Sequence, residues 1–497
     1  MLSAQNIHYE VADKTRGLAA GGIGVIHLLA SRTGLGAALD RELHLLKVHL
    51  PYHESDHVLN VAYNILSGGT CLQDIEQRRS DEVFLDALGA KTIPDPTTEG
   101  DFCRRFAVAD IETLMDTLNE VRLGVWKLQP PEFFDRAVID ADGTLAPTFG
   151  QCKEGMDISY KGQWGYHPLL VSLANTGEPL YLVNRGGNRP SSEGAAVRVD
   201  QGIALCRRAG FKKILLRGDT DFTQTGELDG WDAQGDVEFI FGIDAMPNLV
   251  KIADELPKTA WKRLIRGPKY EVATQERARP ENVKERIVQE REFENIRLFS
   301  EMVAEFDYRP TACRQSYRVV ALCKNLTVEK GQTLLFDDLK YFFYITNDRR
   351  TPAEEIVSAA NGRCNQENLI EQLKNGACAM EMPVSDLVSN WAYMVMASLA
   401  WTLKAWMALV LPEKGRWAEK YKAQKDSLLK MKFKKFLNYL MLVPCQVVRT
   451  GRRVVYRLLG WNPWQEVLLR AVDALRSCGV ARPQSVVVAA GRIPLRC

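Results

Sequence analysis

The chain has 497 residues, 46% of them hydrophobic, and its 64 Lys and Arg stand against 62 Asp and Glu for a net charge of only +2. That length exceeds one ordinary core and predicts roughly two to four domains of a soluble globular chain, while the near-neutral balance excludes a protein that is basic throughout. Eleven cysteines without a C-x-x-C pair give no basis for a zinc ribbon or disulfide framework and suit a reducing, cytoplasmic setting; MLSAQNIHYEVADKTRG lacks the basic start and apolar core of an export signal.

Residues 1–125 are predicted to be helical, because GVIHLLASRTGLGAAL, HVLNVAYNILSGG and ADIETLMDTLNEVRLGVW are amphipathic stretches separated by the Pro- and Thr-rich IPDPTTEGDF. His49, His53 and His57 fall four apart, but Pro51 among them would disturb a helix, so they read as structural rather than metal-binding.

Strands follow from Phe134 onward. AVIDADG ends on Asp142, and the two-residue period puts Asp140 on the same side. HPLLVSLANTG and EPLYLVNRGG are joined through Asn175, Thr176 and Gly177 as an antiparallel hairpin. EGAAVRVDQGIALCRRAG reads as a helix leading into KKILLRGD, a strand closed by Asp219, with a turn expected to carry Asp221 away. A returning crossover helix lets the Asp142 and Asp219 strands lie side by side. This order predicts an RNase H-like core, residues 126–221 forming its first part and 351–410 its second.

The intervening residues 222–350 are too many for a loop. YRVVALCKNL and KYFFYITND are strand-like and KERIVQEREFENIRL is strongly charged, so a mixed, largely β insertion is expected. SAANGRCNQENLIEQLKNG reads as a single helix in which Arg363, Glu367 and Lys374, at offsets of zero, four and eleven, share one face. NWAYMVMASLAWTLKAWMALVLP approaches the length of a membrane span, but Lys404 interrupts it; a buried helix and no membrane partner are expected. Residues 411–497 form a basic region, read as helical. Its Leu411–Gly460 stretch carries thirteen Lys and Arg against three acids. KMKFKKFLNYL, with Lys432, Lys434 and Lys435, and VVRTGRRVVYR alternate cations with aromatic and branched residues, as on a surface that tracks a phosphate backbone; a solvated helix face is the bland alternative. RPQSVVVAAGRIPLRC is expected to be an irregular tail. The fold class is therefore mixed α/β: an RNase H-like core interrupted by a β-rich insertion, between a helical N-terminal domain and a basic C-terminal region.

Asp142, Asp219 and Glu367 thus close three elements far apart in sequence, and three converging carboxylates suit magnesium. Asp142 and Asp219 would be the principal ligands and Glu367 would complete the site, with Asp140 and Asp221 near enough to assist. Two such ions, with manganese as a substitute, support in-line phosphoryl displacement.

These residues resemble the DDE transposases of bacterial insertion sequences, in the group whose glutamate helix carries Y-x2-R-x3-E-x6-K. Arg363, Glu367 and Lys374 fit that signature, while Ala360 stands at its tyrosine position. The resemblance extends over D-G-T at Asp142 to Thr144, the strand ending Arg217-Gly218-Asp219, the YHPLL strand with its N-R-G-G-N sequel, and the insertion. It implies an enzyme that binds double-stranded DNA at terminal inverted repeats through its helical first domain, exposes 3′-hydroxyls, joins them to target DNA and works as a homodimer. By the same resemblance Arg363 and Lys374 would hold phosphates, and Trp261 in the insertion would stack on an unpaired base, although a core tryptophan is the commoner case. IDADGTL also matches the D-x-D-G-T loop of haloacid dehalogenase-like phosphohydrolases, with Asp140 as nucleophile and Asp142 as acid–base; that reading expects alternating parallel α/β units where this chain has a hairpin. A DNA-binding relative that has lost catalysis is the other alternative.

Overall fold

The computed structural model describes residues 15–266, 283–291, 294–330, 333–450 and 453–477; the expected irregular tail lies outside them. The protein is a mixed α/β structure built on a nine-stranded sheet. Numbered among themselves in chain order, its strands are β1 (Ala137–Gly143), β2 (Leu169–Leu173), β3 (Glu178–Val183), β4 (Ile214–Gly218), β5 (Val237–Ile243), β6 (Lys262–Arg263), β7 (Glu294–Tyr308), β8 (Tyr317–Lys330) and β9 (Thr333–Thr346). Across the sheet they run β6-β7-β8-β9-β5-β4-β1-β2-β3. β1 pairs in parallel with β4, and β4 with β5, whereas β2 and β3 form the hairpin foreseen at Gly177, whose φ of 67° the turn requires.

Branched residues on both faces of β1 and β4 explain why the centre of the sheet is covered on both sides. Ile139 meets helix Ala195–Ala209 at Gly202, while Val138 and Leu215 pack on the opposite face with Ile356 and Val357 of helix Ala353–Asn361. Side-chain alternation then places Asp140 and Asp142 on that second face. β5 falls within the span expected to be insertion, yet hydrogen-bonds to β4; β9 pairs antiparallel with β5, so the long strands β7–β9 prolong the same sheet.

Helix Leu387–Leu409 is the one helix among the described residues long and apolar enough to cross a membrane, and its apolar stretch is wholly buried within the protein. It packs against helices Glu54–Leu66 and Val108–Trp126 and against β3. One continuous apolar core therefore joins the helical N-terminal part to the sheet. His57 stacks on Phe102 with centroids 4.2 Å apart and lies 3.1 Å from Glu99, and His49 meets Glu54 instead.

The basic region is not helical throughout. Helix Ala418–Lys430 is followed by a hairpin, Cys445–Thr450 with Arg453–Leu458, and Cys445–Gln446 also pairs with Gly17–Leu18. The reason is the alternation in Cys445-Gln446-Val447-Val448: Cys445 and Val447 are buried, a period of two rather than 3.6.

Lys404 is buried in helix Leu387–Leu409, where its ammonium lies 3.8 Å from the Trp401 ring centroid and donates to Leu429 O at 2.8 Å. Burial lowers its pKa from the ordinary 10.5 to about 7. Between those values the unfolded chain binds the proton that the folded chain has released, so stability should rise with pH across that window. Lys404→Met is expected to raise the melting temperature at pH 7 and to lose this slope; thermal melts across the window check it, and an unchanged slope would refute the assignment.

Candidate functional site

The site begins with register. β1 and β4 are paired up to Asp140 opposite Arg217, so Asp142 and Asp219, each two residues further on, stand level at the same end of adjacent parallel strands. Asp219 then caps the turn Thr220–Phe222, its Oδ1 accepting from Asp221 N at 3.0 Å. That turn takes the exposed Asp221 off the strand, as expected.

Glu367 arrives on helix Cys364–Glu371. The helix is held on the sheet by buried Gln366, which donates to Leu170 O at 3.3 Å and bonds Ser172; Leu170 is the cross-strand partner of Asp142. The single helix expected from the sequence is broken, however. Helix Ala353–Asn361 ends at Gly362, Arg363 caps the next helix, and a π-helical turn, Gln372–Gly376, closes the segment. At the break, a Cβ on Gly362 would come within 2.4 Å of the Arg217 guanidinium, so the glycine leaves that group its position.

All three carboxylates meet one cation. Arg363 Nη1 lies 3.0 Å from Asp142 Oδ2 and 3.9 Å from Asp219 Oδ2, and Arg363 Nη2 lies 3.5 Å from Glu367 Oε1. Burial, with the charge of Asp219 adding to it, raises the Asp142 pKa to about 7 against the pull of Arg363. Burial also raises Asp219, again opposed by Arg363. Glu367 remains open to solvent.

Hard oxygens from three separate elements suit magnesium in kind. In arrangement they are drawn onto Arg363, and among the described residues no three ligating side chains stand together at metal-binding spacing. A divalent cation would therefore compete with the Arg363 guanidinium for these carboxylates.

Asp140 does not belong to this group. It is 1% exposed, and Arg217 holds it through two bonds, Nε to Oδ1 at 2.7 Å and Nη2 to Oδ2 at 2.8 Å, while Arg217 Nη1 donates to Ala359 O. The pair fastens helix Ala353–Asn361 to the sheet, and Arg217 engages both Asp140 carboxylate oxygens. Asp140, expected from the sequence to assist, is thus engaged by Arg217. Arg217 and Gln366 are the positioning residues that sequence reasoning missed. The facing of Asp140 and Arg217 across parallel strands was the available signal for the first, and Gln366 gave none.

Lys374 donates to Leu145 O, just beyond the Asp142 strand, and burial, then Lys161, lowers its pKa. Ala360 and Tyr344 of β9 both pack, partly buried, on the apolar cluster of Leu215, Ile356 and Val357. Tyr344 and Ala360 also line a cleft of about 380 Å³ with Asp219, Asn361 and Arg363. Trp261 is not brought to the carboxylates; it packs, half-buried, with its ring 6.0 Å from that of Tyr341. Lys432, Lys434 and Lys435 are exposed around the buried Phe433 and Phe436. Phe433 N donates to Gln372 Oε1 at 2.8 Å, tying this basic segment to the end of the glutamate helix.

Residues 15–480 match the family described as Transposase DDE domain group 1. The chain belongs to the DDE transposase family. No curated protein matches this transposase. Among solved structures, it is similar at 10% identity and a TM-score of 0.36 to a piggyBac transposase in a synaptic complex with hairpin DNA, over 85% of this chain and 82% of that one.

Proposed function

We propose that this transposase cuts and joins DNA strands at the terminal inverted repeats of an insertion sequence by magnesium-dependent phosphoryl transfer, in the cytoplasm and as a homodimer on DNA. The observation that carries the reading is the meeting of Asp142, Asp219 and Glu367 at Arg363. The strand order β3-β2-β1-β4-β5, with the two aspartates level on parallel neighbours, supports an RNase H-like core.

Asp142, Asp219 and Glu367 would hold the divalent cations, which when bound supply the positive charge that stabilises an in-line displacement at phosphorus. Arg363, freed from the carboxylates, presents a fork suited to a phosphate. Lys374 anchors the loop after Asp142 and adds an ammonium on the same side. Lys432, Lys434 and Lys435 would follow the duplex backbone away from the site, making affinity fall with salt. Arg217 and Gln366 position the two carboxylate-bearing layers without touching DNA.

The experiment is strand cleavage of a labelled duplex that joins one element end to flanking DNA. Cleavage at the boundary with magnesium, abolished by a chelator, is expected. Binding without cleavage under any divalent cation would instead favour a relative that has lost catalysis.

A further inference from the structure

Between β1 and β2 the chain forms a small lobe. Its three short strands, Ala146–Pro147, Asp157–Ile158 and Trp164–Tyr166, make a separate antiparallel sheet at the carboxylate end of β1. The base of the lobe is fixed. Tyr166 is fully buried and donates to Glu154 O at 2.8 Å, Glu154 N donates to Ser385 O at 2.8 Å, and Lys153 donates to Val384 O at 2.8 Å. Its outer surface has no comparable cover. Phe149 is 95% exposed, Tyr160 82% and Trp164 54%.

Three aromatic rings within one short, anchored lobe are left open to solvent, and the charge beside them points to what they could meet. Tyr160 and Lys161 form the tip of a turn closed by Ser159 and Gly162, with the Lys161 ammonium 5.3 Å from the Tyr160 ring centroid. Lys161 is also the charge felt by Lys374, which bonds Leu145 O at the root of the lobe. Neither lysine has an ion pair among the described residues. A lysine over an exposed tyrosine ring at the tip of the lobe, with a second lysine bonded at its root, matches a polyanion that offers both phosphates and flat faces.

We infer that residues 146–166 are a stacking platform for unpaired nucleotides of the DNA strand next to the carboxylate site, with Phe149, Tyr160 and Trp164 facing bases and Lys161 and Lys374 facing the intervening phosphate. This rests on the transposase reading above and adds the form of DNA that the site holds: a strand opened beside the scissile bond rather than an intact duplex.

The test compares a duplex bearing an unpaired thymidine tail with the same duplex fully paired, by fluorescence anisotropy on the full-length protein. The wild type should prefer the tailed probe. Phe149→Ala with Tyr160→Ala should weaken tailed binding by about tenfold and leave paired binding unchanged, and Tyr160→Phe, which keeps the ring, should retain the preference. A wild type that binds both probes alike, a variant that loses both equally or neither, or a variant that changes the oligomeric state overturns the platform while DNA binding stands. A wild type that binds neither probe overturns the transposase reading as well.

Discussion

Asp219→Asn is expected to lower magnesium-dependent strand cleavage by about a thousandfold while leaving DNA affinity within about twofold of wild type. A lost cation ligand removes several kcal/mol of transition-state charge stabilisation, and ~4 kcal/mol is about a thousandfold in rate. The amide has nearly the shape of the carboxylate, and its carbonyl oxygen can still accept from Asp221 N, the bond that shapes the turn at Thr220–Phe222. Arg363 keeps Asp142 at 3.0 Å as its main partner, so the guanidinium does not become an unpaired charge. Cleavage and anisotropy on the same duplex check this. Loss of binding together with cleavage would make Asp219 structural, and full cleavage by the variant would remove it from the catalytic group.

The two aspartates were legible in the sequence because their strands are. Ala137-Val138-Ile139 and Ile214-Leu215-Leu216 are short branched runs of the kind a strand covered on both faces carries, the first leading to Asp142 and the second, through Arg217 and Gly218, to Asp219. The glutamate helix was legible only in part. Periodicity assumes an unbroken 3.6-residue turn, whereas the first helix ends at Gly362, beside the Arg217 guanidinium, and the π turn forms where Gln372 receives Phe433 N from sixty-one residues away. Neither contact leaves a local trace. The lobe 146–166 was missed because strands of two or three residues are too short to show alternation. β5 was missed for another reason: nothing in Val237–Ile243 announces that it continues the sheet of β4, since pairing partners are set by tertiary contact.

Glu178→Gln is expected to cost about 3–5 kcal/mol of stability, the range for breaking a buried ion pair from one side, and to leave much of the protein insoluble. Glu178 is fully buried at the start of β3, and four donors from three elements converge on it. Oε1 accepts from Arg122 Nε at 3.0 Å and Trp406 Nε1 at 2.8 Å, and Oε2 from Trp126 Nε1 at 2.9 Å and Thr176 Oγ1 at 2.6 Å. It thereby joins helices Val108–Trp126 and Leu387–Leu409 to the sheet edge. An amide can accept on one side only, so its NH2 would face the Trp126 N–H, and the buried Arg122 would lose its counter-charge. Soluble yield and thermal melting measure the loss. The double change Glu178→Leu with Arg122→Met removes both charges, and it should recover part of the stability but not all. The two indole N–H groups would remain without acceptors, each costing about 1–3 kcal/mol. If the double variant were as unstable as Glu178→Gln, the unpaired arginine would not be the cause; if Glu178→Gln melted like wild type, the glutamate would not be what holds the helical layer on the sheet.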